Sequence, residues 1–361
     1  MNIGFFTDTY FPQINGVSYT IQLWKRELEK QGHDVFVYYP KCEGYSPKKN
    51  EVPMASIPIM FYRGYRLGLP DKKMPDNLDI AHLHSPFSMA AYGLGVAKDR
   101  KIPVVLTYHT PVDMYAQNVS SREYVQESLR IFYELWERKL FKRCNLVTAP
   151  SNAIKEKLSG LRGDVIVFSN GIDTNFFKEQ SPKEFLEDYE IPEGRVIGYA
   201  GRHSYEKHVE DLINIADKFD GTILISGDGP VREEFEEMAK GKKNVKFLGF
   251  LPRERMCEFY SALDILILPS TAETQGLVVL EANACGTPVV GADALALKET
   301  IENGVNGYRY KPGDSNDLLS KIWRIYRDME RLKGSSKEYA RKHSVENTVK
   351  TLIELYNDLR K

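Results

Sequence analysis

Cysteine is scarce in this chain. Four residues (Cys42, Cys144, Cys257 and Cys285) are spread over 361 positions with no CxxC pair. That spacing argues against a disulfide framework and a clustered metal site, and makes a reducing cytoplasm the expected setting. An excess of one charge is also lacking: 49 Lys and Arg stand against 50 Asp and Glu, a net charge of −1. Bulk charge therefore gives no case for nucleic-acid binding. No window approaches 18 uninterrupted apolar residues, so no membrane-spanning segment is expected. The opening MNIGFFTDTYFP has no basic n-region, so no secretory leader is expected. Tyrosine, in contrast, is plentiful at 21 residues, which fits sugar stacking as well as ordinary amphipathic packing.

The patterning that is present alternates strand and helix. Ile3–Phe6 reads as a buried strand, TDTYFPQINGVS as a loop, 18–30 as a helix and 34–39 as the next strand, which is a βαβ unit. Asn15-Gly16 in that loop would let backbone approach a ligand, although the loop is not a GxGxxG dinucleotide fingerprint. Asp79–Leu83 and Val104–Thr107 read as further strands, ending in HSPF and YHTPVDMY. His109 thus lies at the carboxyl end of a parallel strand, where open α/β sheets present ligand sites. His84 sits at a similar strand end, with a structural and a functional role equally open; His33, His203 and His343 read as structural. Residues 121–143 predict a helix whose Val125, Leu129, Phe132, Leu135, Trp136 and Leu140 form a core-facing stripe. Ser151 is a candidate N-cap for the helix that follows. Residues 174–194, polar and carrying Pro182 and Pro192, read as a linker. A second strand–helix series then begins at Val196, with a helix expected over 209–219. The fold class expected is α/β, two doubly wound Rossmann-like domains. Their expected boundaries are 1–173 and 174–344, with a terminal helix, 345–361, returning to the first domain.

The stretch Ser270–Val290 concentrates chemistry. It reads as loop, helix and strand after the apolar run Leu263–Leu268, with Glu273 in the loop and Glu281 in the helix. A helix N-terminus attracts anions through its unpaired amides, whereas carboxylates suit hydroxyl groups. Together they suggest a polyhydroxylated anionic ligand such as a sugar nucleotide. Arg202 and Lys207, in GRHSYEKH after another strand, suit a pyrophosphate. The bland alternative is that both cations pair with the adjacent Glu206 and Glu210. GDGP (Gly227–Pro230) reads as a plain tight turn.

Taken together, GRHSYEKH, GDGP, ETQGLVVLEANACGTPVVG, TDTYFPQINGVS, HLHSPF, TYHT and SNGIDTNFF resemble the signatures of retaining glycosyltransferase family 4. They run in the family's order from residue 3 to about 310. The resemblance implies the GT-B fold, with two domains facing across a cleft. SIPIMFYRGYRLGLP and TYHTPVDMY further resemble the branch containing diacylglycerol glucosyltransferases and lipid-directed mannosyltransferases.

What the resemblance implies can be assigned by residue. Arg202 and Lys207 would hold the donor diphosphate, Glu281 the ribose, and Glu273 the hydroxyls of the moving sugar. Backbone at Gly276, Leu277 and Val278 would position sugar and phosphate, and Gly249 to Pro252, Leu251 included, would lie near the base. Gly16 would approach the diphosphate, and His109 would orient the donor sugar. Asp8, Tyr62, Arg63, Arg66, His84 and Tyr115 are the candidates for the acceptor side. The expected activity is retaining transfer of a hexose, glucose from UDP-glucose, to an acceptor lipid or glycan such as diacylglycerol. No DxD pair stands at a plausible donor site, so no metal and no cofactor beyond the nucleotide sugar is expected. Residues 54–70 suit either a loop over the core or contact with an anionic membrane on its cytoplasmic face. The alternatives are a GDP-mannose-dependent mannosyltransferase, a nucleotide-sugar epimerase or hydrolase, and a non-catalytic binder.

Overall fold

The computed structural model describes residues 1–58, 66–69, 75–109 and 123–361. They form two compact units, Met1–Gly171 together with Val345–Lys361, and Ile172–Ser344. Tyr62, Arg63 and Tyr115 lie outside the described residues. No helix among the described residues is long and apolar enough to cross a membrane.

The first unit is built on β1 (Asn2–Phe6), β2 (Asp34–Pro40), β3 (Glu51–Pro58), β4 (Arg66–Leu69), β5 (Ile80–Leu83), β6 (Val104–Thr107), β7 (Leu146–Ala149) and β8 (Ile166–Val167). Their order is β4-β3-β2-β1-β5-β6-β7-β8. Only β3–β4 is antiparallel among these pairings. The central strands are buried along their length, as a parallel sheet covered on both faces requires. The chain steps outward from β1 to β4, then returns to place β5 beside β1. The carboxyl ends of β1 and β5 therefore flank the topological switch point.

Its helices are α1 (Gly16–Lys30), α2 (Ser88–Arg100), α3 (Glu123–Phe141) and α4 (Asn152–Leu158), with the C-terminal helix Val345–Leu359. Asn15 caps α1: its side chain accepts from the amides of Val17 and Ser18, and Ser18 Oγ accepts from the Asn15 amide. Helix α1 thus begins at Gly16, two residues earlier than expected. Ser151 caps α4. Ile21, Trp24 and Leu28 of α1 share one core cluster with Val345, Val349, Leu352 and Tyr356 of the C-terminal helix. The Trp24 indole donates to the Asn170 carbonyl at 2.7 Å. Next to it Gly171 is left-handed (φ +70°), and a Cβ there would meet Thr348 Oγ1 at 2.6 Å. Only glycine satisfies both constraints.

Helix α3 corrects the sequence reading. Phe132 and Leu135, expected in the core, are 63% and 62% exposed, whereas Leu140 is buried as expected, with Phe141 beside it. Trp136 is half-buried, its indole donating to the Pro86 carbonyl. The side chains of Val125 and Leu129 lie outside the description. Helical periodicity identifies an apolar stripe but not what covers it.

In the second unit β9 (Val196–Ala200), β10 (Thr222–Ser226), β11 (Val245–Gly249), β12 (Ile265–Leu268), β13 (Val289–Ala292) and β14 (Gly307–Tyr310) form a parallel sheet ordered β11-β10-β9-β12-β13-β14. Its switch point falls between β9 and β12. Ahead of them comes α5 (Lys183–Asp188), between them run α6 (Glu210–Asn214), α7 (Arg232–Met238), α8 (Arg253–Ala262), α9 (Leu277–Ala284) and α10 (Leu297–Thr300), and after them α11 (Ser315–Arg327) and α12 (Met329–Lys342). The helix expected over 209–219 is broken, α6 giving way to a 3-10 turn at Ala216–Lys218.

Residues 174–194 are not a linker. Phe177, Phe185 and Ile191 are buried in the second core, and Lys183–Asp188 is helical. Isolated large side chains without a period anchor this stretch, so composition alone misreads it. The units are joined at 171/172 and 344/345. Leu352 is fully buried on the C-terminal helix. Leu352→Ala is expected to cost about 2–5 kcal/mol and lower the urea midpoint; an unchanged midpoint would mean that this helix does not stabilise the first unit.

Candidate active site

In the second unit the loops after β9 and β12 meet at the switch point. Lys207 Nζ and Glu273 Oε1 stand 2.6 Å apart, both side chains at most 20% exposed. The Thr271 amide donates to the Glu206 carbonyl at 3.2 Å, and His208 Nε2 pairs with Thr271 Oγ1 at 3.1 Å. Glu206 and Glu210 do not neutralise the cations, as the bland alternative required. The Glu206 carboxylate accepts from Ser204, and that of Glu210 pairs with His208. The Arg202 side chain is exposed, while its carbonyl accepts from the Tyr199 hydroxyl at 2.8 Å.

The GDGP turn has a structural task the sequence reading did not assign. The His203 amide donates to the Asp228 carbonyl at 2.9 Å. A Cβ on Gly227 would lie 1.8 Å from the Gly201 carbonyl oxygen, and one on Gly229 2.1 Å from that of His203. The glycines let this turn pack directly behind the Arg202 loop.

Gly276 is left-handed (φ +80°) immediately before α9, and a Cβ would meet Leu297 at 2.9 Å. The loop before it is tied down by Thr300 Oγ1, which donates to the Gln275 carbonyl at 2.5 Å. The opening amides of α9, at Leu277 and Val278, have no intrahelical acceptors. One turn on, Glu281 accepts from Tyr260 Oη at 2.9 Å and lies 3.9 Å from Arg253, which packs over Phe176 and Phe177. Sequence reading missed Arg253 and Tyr260. Arg253 follows the Gly249–Pro252 stretch directly, a usable signal, but nothing in the pattern of α8 marks Tyr260. Gly249, also left-handed, ends β11, and buried Leu251 lies just after it.

Burial acts on both acids, with opposite outcomes. It raises the Glu281 carboxyl above the usual range, against weaker opposition from Arg253 and Tyr260. At Glu273 the Lys207 ammonium and hydrogen bonds from Lys207 and Ser270 together outweigh burial, so the carboxyl is held below the usual range. Glu273 is thus a committed carboxylate.

In the first unit, Asp8 lies at the switch point but is already engaged. Its carboxylate accepts from Ser85 Oγ at 2.6 Å, Ser88 Oγ at 2.5 Å and the Met89 amide at 3.0 Å, at the start of α2. Burial nonetheless raises its pKa. Arg66 donates to Ser56 through Nε and Nη2, stapling the β3–β4 hairpin. These two have structural employment, whereas His109 and His84 come together, Nε2 to Nδ1 at 3.1 Å. Gly16 opens α1 beside them in the topology, after β1.

The comparisons with known proteins bear on this arrangement. Residues 14–176 match the family model "Glycosyltransferase Family 4", and residues 182–343 match "Glycosyl transferases group 1". The alpha-monoglucosyldiacylglycerol synthase of Streptococcus pneumoniae is 31% identical over 99% of this chain and 86% of its own length. The chain belongs to glycosyltransferase family 4. The enzyme of the same name from Acholeplasma laidlawii is 28% identical over 99% of this chain and 97% of its own length. The crystal structure of Anabaena Alr3699/HepE in complex with UDP superposes with a TM-score of 0.76 at 18% identity, covering 99% of this chain and 100% of that one. The fold is GT-B, and the activity is that of a family 4 glycosyltransferase using a nucleotide-sugar donor.

The two acids of this glycosyltransferase separate by pH. The depressed Glu273 adds stability present above its unfolded pKa and lost as pH falls through its folded one. The raised Glu281 favours folding below its unfolded pKa and loses that contribution as pH rises through its folded value. At pH 7, Glu273→Gln is expected to destabilise by about 1–3 kcal/mol by leaving Lys207 unpaired, and Glu281→Gln to stabilise. Melting temperatures at pH 7 and pH 4.5 check this; shifts of the same sign at pH 7 would contradict it.

Proposed function

We propose that this chain transfers glucose from UDP-glucose to the hydroxyl of a membrane glycerolipid such as diacylglycerol, with retention and without a metal. The observation that carries the donor reading is the meeting of Arg202, Lys207, Glu273 and the start of α9 at the switch point of one sheet, between β9 and β12. Open α/β sheets bind nucleotides at such a crevice. Arg202 and Lys207 take the diphosphate, helped by the amides of Leu277 and Val278 after Gly276. Ionised Glu273 accepts hydrogen bonds from hydroxyls of the moving sugar. Glu281, oriented by Tyr260, binds the ribose, and backbone at Gly249 to Leu251 lies along the base. In the first unit, which takes the acceptor, Gly16 gives close approach to the diphosphate and His109 bonds the donor sugar.

The chemistry follows from these charges. The anomeric carbon becomes oxocarbenium-like as negative charge builds on the departing diphosphate. Lys207, Arg202 and the helix start stabilise that charge where a divalent ion would otherwise do so. Glucose is α-linked in UDP-glucose, and the relatives named above are alpha-monoglucosyldiacylglycerol synthases. An α-glucoside made from an α-linked donor is retention. Those names also support the lipid acceptor, and with it work at the cytoplasmic face of a membrane. The UDP bound by the Anabaena structure supports the base.

Titration calorimetry with UDP-glucose, ADP-glucose and GDP-mannose tests the donor. Binding of UDP-glucose is expected, with a loss of about 10- to 100-fold in Arg202→Ala. Preference for GDP-mannose, or unaltered affinity in the variant, would overturn the assignment. Glu273→Gln is expected to lower kcat by about 100-fold or more, well beyond its effect on folding. Donor consumption without acceptor, followed by NMR, would instead indicate an epimerase or hydrolase.

A further inference from the structure

The acid–base histidines of many enzymes direct their far nitrogen to a carboxylate, which raises the ring's pKa and favours the imidazolium. His109 does not. Its Nε2 lies 3.1 Å from Nδ1 of His84, with the two ring planes 14° apart, the geometry of an in-plane N–H···N bond. His84 is held in turn. Its ring stacks on His82 at 4.2 Å, with Phe5 against it at 4.6 Å and Trp24 at 5.7 Å. His82 cannot rotate freely, because Nδ1 pairs with Tyr356 Oη of the C-terminal helix at 2.5 Å and Nε2 with Thr107 Oγ1 at 2.7 Å. Thr107 Oγ1 is anchored to Thr148 Oγ1 at 2.8 Å. The remaining nitrogen of His84, Nε2, is buried and has no partner among the described residues.

Three buried imidazoles in series, with the Tyr356 hydroxyl beside the first of them, have little tolerance for charge. Burial is the main cause in each case. It holds His82 and His84 well below the usual imidazole range and pushes His109 down to about 3. Two neutral rings joined by one N–H···N bond each carry a single proton, and a change of tautomer in one requires a change in the other.

We propose that His84 is a positioning residue for glycosyl transfer, whose Nδ1 fixes the ring of His109 and keeps it an uncharged hydrogen-bonding group. This rests on the reading that His109 meets the donor sugar. A neutral, immobile ring suits a reaction in which the histidine need only bond a sugar hydroxyl. A ring of such low basicity is also a poor base for activating water.

The unpartnered Nε2 makes the test specific. Asparagine carries its amide where histidine carries Nδ1, so His84→Asn keeps the one hydrogen bond that His84 makes to His109, whereas His84→Phe keeps only the ring. His84→Phe is expected to lower kcat by about 10-fold with little change in donor KM, and His84→Asn to restore most of it. In 15N-histidine-labelled protein, a scalar coupling across the His84–His109 bond and a His109 ring that stays neutral from pH 8 to pH 5 are expected. Equal losses in His84→Phe and His84→Asn, full activity in His84→Phe, or an absent coupling in the wild type would overturn the proposal. Should His84→Phe fail to fold, the wild-type coupling and the kinetics of His84→Asn still decide. An unimpaired His109→Phe would overturn the reading of His109 and the proposal with it. A His109→Phe loss beside a fully active His84→Phe overturns the proposal alone.

Discussion

Lys207 and Glu273 hold each other at 2.6 Å in a place largely removed from water. Neither would be tolerable there alone, since a buried unpaired charge costs several kcal/mol. Their pairing therefore fixes the loop after β9 against the loop after β12, and with it the position of Arg202 on one side and Gly276 on the other. In the proposed complex a nucleotide sugar would replace each charge's partner, offering phosphate to the lysine and hydroxyls to the carboxylate. The ion pair would then hold the site together in the free protein through a contact that the substrate exchanges for two others.

The sheet explains why this contact lies where it does. Right-handed crossovers carry the chain from β9 out to β11 and back to β12, so neighbouring loops diverge only between β9 and β12. The close backbone approach of Gly227 to Gly201 and of Gly229 to His203 supplies the wall behind. In the first unit the equivalent divergence lies between β1 and β5. There Asp8 is spent on the start of α2, and the histidines carry the polar chemistry. Tyr356 links those histidines to the C-terminal helix, so a segment at the far end of the chain helps to order the ring of His109.

Strands such as ILIL and VVLT were legible because a parallel sheet, covered on both faces, needs short continuous apolar runs. The placement of Arg202 and Lys207 after β9, and of Glu273 and Glu281 after β12, was legible because strand ends recur at a spacing the fold reuses; their roles toward the donor are part of the proposal. Other features depend on contacts that no local pattern encodes. The face of α3 is as apolar as a core helix, yet Phe132 and Leu135 lie at the surface. Residues 174–194 look like a linker because Phe177 and Phe185 anchor them singly rather than periodically. That Asn15 in this loop also caps α1 was not read, because the capping box depends on the Ser18 side chain three residues on. The support of Glu281 by Tyr260 and Arg253, and of His109 by His84, joins residues whose adjacency only the folded chain reveals.

On the proposed function these groups move glucose, with retention, from UDP-glucose to a lipid hydroxyl. An assay of the purified chain with UDP-glucose and diacylglycerol in anionic vesicles, with the product's anomeric configuration read by NMR, tests this directly. An α-glucosyl diacylglycerol and stoichiometric UDP are expected. A β-glucoside, or release of free glucose with the lipid unchanged, would contradict it.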